Sequence, residues 1–254
     1  MIKPLSIRER KTITSLKLAK RRKEEGLFIA EGVKTIQLLL KTFAPRWIVI
    51  SEDFPNLIER YSESHPTLLR IASPQVMKTI SQLESRQDVI AVFEHKKEFH
   101  STLLSGEGKI AVALDAIQNP GNMGTIIRLC DWLGIPTLIL GEGCTDPFGA
   151  KAVQASMGAL ANVSIIQDVE LYTYLPKHYK KIIATTMDGE DYRAYKSDDV
   201  KDSVLLFGNE GNGISSQLLS VATHQVTIPK AIGAVSESLN VSLSAAILLS
   251  SFVQ

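Results

Sequence analysis

Apolar positions along the 254-residue chain switch between short unbroken runs and a three-to-four spacing. Unbroken runs predict buried strands, and the three-to-four spacing predicts amphipathic helices. After a charged leader, the runs FIA, RWIVIS, TLLRIA and DVIAVFEH alternate with the helical stretches VKTIQLLLKTF, FPNLIERYSES and SPQVMKTISQL. The alternation predicts a small α/β domain over residues 1–95. The polar stretch KKEFHSTLLSGEGK then predicts a linker over residues 96–108.

From residue 109 onward the pattern resumes with the strands IAVALD, PTLIL, NVSII, KIIATT, SVLLFG and QVTIP. Helical segments follow at Asn119, in KAVQASMGAL, in ISSQLLSV and in NVSLSAAILLSSFV. Strands this apolar, separated by helices, predict a second domain over 109–254 built on a mostly parallel sheet covered on both faces. Ligands of such sheets sit in the loops beyond the carboxyl ends of the strands.

Three of those loops carry unusual composition. NPGNMGTIIR, Asn119 to Arg128, follows the first strand of the second domain. There Asn119 suits a helix cap and Pro120 the first helical position, while Gly121 and Gly124 permit close approach by a ligand. FGNEGNG, Phe207 to Gly213, surrounds the acid Glu210 with three glycines. It has neither the Gly-Lys-Ser/Thr of a Walker loop nor the order of a dinucleotide fingerprint. The third, IPKAIGAVSESLN, runs from Ile228 to the start of the last helix, where Ser238 and Asn240 suit caps. Taken singly, these residues read as turns, caps and a surface arginine. The small residues of the last helix read as core packing or as a subunit interface.

Composition narrows the class. A hydrophobic content of 44%, with 22% charged residues and no apolar run near 20 residues, predicts a soluble protein without a membrane span. The N-terminal segment lacks the pattern of a secretory signal, and the two cysteines, Cys130 and Cys144, have no CxxC spacing. Both features predict a cytoplasmic protein without disulfides. The five histidines are scattered, which predicts no metal site. The net charge of +1 conceals a leader of residues 1–25 with nine Lys/Arg against three Glu, or +6, leaving −5 elsewhere. That run reads equally as a solvated helix face or as a polyanion-binding arm.

In this order, each after a strand, the three loops resemble the motifs of the SpoU (TrmH-like) RNA ribose 2'-O-methyltransferases of the SPOUT superfamily. The resemblance covers residues 109–254, with a weaker likeness of EEGLFIAEGVKTIQLLL to the ribosomal-protein-like substrate-binding domain that often precedes this catalytic domain. It implies an S-adenosylmethionine-dependent enzyme with a C-terminal trefoil knot, working as a homodimer on RNA. Gly208, Ile228 and Leu239, with Phe207, Asn209 and Pro229 beside them, would cradle the cofactor. Arg128, Asn119, Glu210, Ser238 and Asn240 would face the reacting ribose. Lys230 departs from the family's usual Ile-Pro-Met, and the span from Pro229 to Ser238 is slightly long.

An arginine titrates too high to be a ready base, so Arg128 is expected to bind phosphate and stabilise developing oxyanion, with Asn119, Ser238 or water assisting proton loss. Ribosomal RNA is the expected substrate; the alternatives are transfer RNA, a non-catalytic ribosome-assembly protein of the same fold, and a small-molecule methyltransferase.

Overall fold

A computed structural model describes residues 2–85, 87–95 and 110–253. The linker predicted at 96–108 lies outside the described residues. In chain order the elements are β1 (Lys3–Pro4), α1 (Ile7–Ser15), α2 (Ala19–Glu25), β2 (Leu27–Glu31), α3 (Val33–Leu39), β3 (Pro45–Ser51), α4 (Pro55–Ser64), β4 (Leu69–Ala72), α5 (Pro74–Ile80) and β5 (Val89–Glu94). They continue with β6 (Ala111–Leu114), α6 (Pro120–Trp132), β7 (Thr137–Gly141), α7 (Ala150–Ser156), β8 (Ser164–Val169) and α8 (Leu171–His178). The last are β9 (Lys181–Asp191), β10 (Ser203–Phe207), α9 (Ser216–Leu219), β11 (His224–Thr227) and α10 (Val241–Phe252). Two compact units result, and residues 146–161 are grouped with the N-terminal one.

In the N-terminal unit a five-stranded sheet runs β1-β4-β3-β5-β2. β1, β4 and β3 are parallel, whereas β5 is antiparallel to both β3 and β2. Its core gathers Ile13 and Leu16 of the leader, Ile29, Val49, Met77, Ile80, Ile90 and Val92. The charged leader is therefore two helices with a structural side. α1 begins with a capping box in which Ser6 accepts from Glu9 N and Glu9 accepts from Ser6 N. Of the nine leader cations eight are exposed and one, Arg22, is buried. Arg22 donates through Nε to Asp146 at 2.7 Å and through Nη1 to the carbonyls of Leu16 and Lys17. Hydrophobic burial holds the same segment: Phe148 lies 5.1 Å from Phe28 and stacks on His95 at 4.5 Å. These contacts, with the packing of α7 on β2, explain why residues 146–161 leave the domain that the sequence boundary at 109 assigns them.

The second unit holds a six-stranded sheet, β11-β9-β10-β6-β7-β8, in which every pairing is parallel. Leu171 and Leu175 of α8 and Leu218 of α9 pack with Ala111, Ala113, Ile139 and Leu206. The residues pointing the other way, Val112, Leu138 and Leu205, are fully buried as well, so both faces are covered. α10 packs against α6. One helix, α8, escapes the sequence pattern because Pro176 interrupts it. Among the described residues no helix is long and apolar enough to cross a membrane, and no three His, Cys, Asp or Glu are grouped to hold a metal.

Candidate active site

Parallel pairing decides where the three loops go. β6 and β10 lie side by side with Leu114 opposite Phe207, so the chains leaving these two strands emerge together at one edge. Asp115 continues the pairing by donating its N–H to Phe207 O at 2.8 Å, and its carboxylate accepts from Ser215 N at 2.9 Å. Asn209 donates to Ala116 O at 2.7 Å, holding Ala116 at φ 52°, in the left-handed region that alanine disfavours. The loop after β10 closes on itself where Asn209 and Gly213 exchange backbone hydrogen bonds at 2.9 Å. Gly208 is obligatory there: a Cβ would overlap the backbone of Gly213 and Ile214.

Around this closed loop lies a cavity of about 780 Å³. Phe207, Gly208, Asn209, Ile228, Pro229 and Leu239, all six residues expected at the cofactor, line it, as do Glu210 and Ser238. The sequence reading missed Thr185 to Asp188 in the middle of β9, which contribute a further wall. The volume lies within the ordinary range for small-molecule sites. Glycine backbone, apolar Phe207, Ile228 and Leu239, and the carboxylates of Asp188, Glu210 and Glu237 suit a nucleoside that carries positive charge. S-adenosylmethionine is such a group, and the residues present fit it. Lys230, the departure from the family's usual methionine, also faces this cavity.

At the rim the polar residues join through one that the sequence reading passed over. Asn122 donates from Nδ2 to Glu210 Oε1 at 2.9 Å and accepts at Oδ1 from Asn240 Nδ2 at 3.1 Å. Ser242 Oγ donates to Asn240 Oδ1 at 2.6 Å. Glu210 also accepts from the backbone N–H of Gln118 and Asn119 at 3.5 and 3.4 Å. Burial pushes the Glu210 carboxyl up, but the Asn122 amide and the backbone N–H groups outweigh it and hold it below the usual carboxylate range. It is a carboxylate at neutral pH.

Asn119 has a different task. Its Oδ1 accepts from Gly121 N at 2.8 Å and Asn122 N at 3.2 Å, so that oxygen caps α6. The sequence signal for Asn122 was its position: with Ile126 and Cys130 it forms a buried stripe, and an amide in such a stripe needs partners. Arg128 stands outside the network. It is exposed, with no hydrogen bond or ion pair among the described residues, two turns along α6 on the face that carries Thr125 and Trp132. Within one chain, then, Glu210 and Asn240 meet through Asn122, Asn119 adjoins them as a cap, Ser238 lines the cavity, and Arg128 points to solvent.

Comparison with known proteins gives the family. Residues 109–250 match the SpoU rRNA Methylase family, and residues 9–91 match an MRM3-like substrate binding domain. A solved TrmH-family structure from Porphyromonas gingivalis is 31% identical, with 98% of each chain covered and a TM-score of 0.84. An AdoMet-bound rRNA methyltransferase from Sinorhizobium meliloti is 29% identical, covering 98% of this chain and 95% of that one, with a TM-score of 0.83. The Bacillus subtilis 23S rRNA (guanosine(2553)-2'-O)-methyltransferase is 26% identical over 91% of this chain and 90% of its own length. The family match spans more than half of the sequence and contains all three loops, so the chain belongs to the SpoU rRNA methylase family.

Proposed function

We propose that this protein transfers a methyl group from S-adenosylmethionine to a ribose 2'-hydroxyl of ribosomal RNA, in the cytoplasm and as a homodimer. The observation that carries the reading is the junction of the FGNEGNG loop with Asn122 and Asn240 beside a cavity of cofactor size.

The cofactor supplies an electrophilic methyl on a good leaving group. What remains for the protein is alignment and removal of one proton. Phe207, Gly208, Asn209, Ile228, Pro229 and Leu239 hold the cofactor. Glu210, Asn240 and Ser238 orient the ribose, and Asn119 keeps the α6 entry in shape. Arg128, exposed and always charged, binds a phosphate of the RNA and stabilises the developing alkoxide.

Dimerisation is supported by α10. Its buried side holds Val241, Ala245, Leu248, Leu249 and Phe252, while Leu243 and Ile247 are 57% and 37% exposed on the other side. Large apolar side chains left exposed together on one helix face are what an interface covers, so a second copy is a natural cover. The trefoil knot belongs to the same reading, which the match of residues 109–250 to the SpoU family supports. The eight exposed leader cations give the N-terminal unit the charge to bind RNA, in its reading as a substrate-binding domain over 1–95.

Incubation with methyl-labelled cofactor and undermethylated ribosomal RNA, followed by nucleoside analysis, tests this. Label in a 2'-O-methylated nucleoside is the expected result. Tight RNA binding with no incorporation across ribosomal and transfer RNA would leave the non-catalytic assembly factor instead. Arg128→Lys keeps the charge but loses the planar fork, and turnover should drop at least tenfold; turnover near wild type would remove the need for that fork.

A further inference from the structure

Among the described residues Lys230 is the single basic one that lines the cavity, whose other charged groups are the carboxylates of Asp188, Glu210 and Glu237. It follows Ile228 and Pro229 directly after β11, and its flexible four-carbon stem lets the ammonium move along the wall. Among the described residues it makes no hydrogen bond or ion pair, with those three acids or with any other group.

The charges of the cofactor decide what such a cation can do. S-adenosylmethionine is positive at its sulfonium and at the ammonium of its amino-acid tail, and negative only at the tail carboxylate. An ammonium that met either positive group would weaken the complex, whereas one that meets the carboxylate forms a charge-assisted hydrogen bond.

We propose that Lys230 binds the carboxylate of the cofactor's amino-acid tail. The inference rests on the reading of this cavity as the S-adenosylmethionine site. Phe207, Ile228, Leu239 and the glycine backbone suit the nucleoside end and offer no charge to the tail. Glu237, seven positions on in the same loop, is an acid for the tail ammonium, so one loop supplies a charge of each sign for a zwitterion. A phosphate of the RNA is the other anion at hand, but it carries no adjoining ammonium to match Glu237. The methionine usual at this position in the family has no charge, so the contact is a property of this chain. Holding the tail at one end and the nucleoside at the other orients the methyl between them.

Calorimetry of the full chain with two thioethers tests this. One is S-adenosylhomocysteine; the other is its decarboxylated analogue, which keeps the nucleoside, the sulfur and the ammonium. Wild type should bind the first about tenfold more tightly than the second. Lys230→Met should lose about tenfold for the first and stay within about twofold for the second, and Lys230→Arg should keep the wild-type preference.

Equal losses for both thioethers in Lys230→Met overturn the carboxylate contact and assign the side chain to the shape of the wall. Unchanged affinity for both, with a raised KM for ribosomal RNA, overturns it too and gives the lysine to an RNA phosphate. A wild type that binds neither thioether overturns it together with the reading of the cavity. The expected preference in a protein that transfers no methyl to RNA would support the contact and remove the enzymatic reading.

Discussion

Asn240 Nδ2 donates to Asn122 Oδ1 at 3.1 Å, joining the cap of the last helix to the first turn of α6 across 118 positions of sequence. The same Asn122 amide donates to Glu210, so one side chain of 9% exposure ties together all three glycine-bearing loops.

Removing that tie tests the site. Asn122→Ala leaves Glu210 and Asn240 short of a partner and lets both drift, and a misplacement of about 1 Å costs about a hundredfold in rate. Methyl transfer should fall by that order. Asn122→Asp should be worse, because it sets a second carboxylate against Glu210. A rate for Asn122→Ala within threefold of wild type would show that the loops hold their positions without it.

Two glycines of one loop should respond differently. At Gly208 a Cβ overlaps the backbone of Gly213 and Ile214, so Gly208→Ala must open the turn and abolish cofactor binding by calorimetry. At Gly211 the nearest atom is Asn209 Oδ1 at 3.5 Å, an ordinary contact, and Gly211→Ala should bind the cofactor within about threefold of wild type.

The buried cation of the leader is a stability element. Arg22 and Asp146 have side-chain exposures of 8% and 21%. Truncating one partner of a buried pair strands the other, and Asp146→Ala should cost about 3 kcal/mol in urea denaturation. Lys20→Ala, by contrast, changes a side chain 85% exposed and should be silent in the same assay.

Glu31 gives a pH dependence of defined sign. Burial pushes its carboxyl above the usual range, against the pull of Gln82 N at 2.6 Å and Ser81 Oγ at 2.7 Å. With the folded value above the unfolded one, its contribution is complete below the unfolded value and is lost as pH rises through the folded one. Glu31→Gln lacks this titration. The stability of wild type relative to Glu31→Gln should therefore fall from acid towards neutral pH, and a difference independent of pH would contradict the assignment.

Local pattern was enough to reveal the two α/β halves, because strands buried on both faces must be continuously apolar, as β6, β7 and β10 are. It also exposed the three loops and the cavity-lining residues within them, though not the wall from Thr185 to Asp188, since close backbone approach requires glycine and helix starts require caps. It could not reveal Asn122 as the hub, because its two partners lie 88 and 118 positions away and are brought near only by the pairing of β6 with β10 and the packing of α10 on α6. Nor could it show that residues 146–161 fold with the first unit: Phe148 is apolar in any assignment, and only packing supplies Phe28 as its neighbour. Sequence alone determined the element types and the chemistry on offer, both governed by neighbours along the chain. Which amide bonds which carboxylate, which of nine leader cations is buried, and which side of α6 faces water were left to tertiary structure, because burial and hydrogen bonding depend on groups distant in sequence.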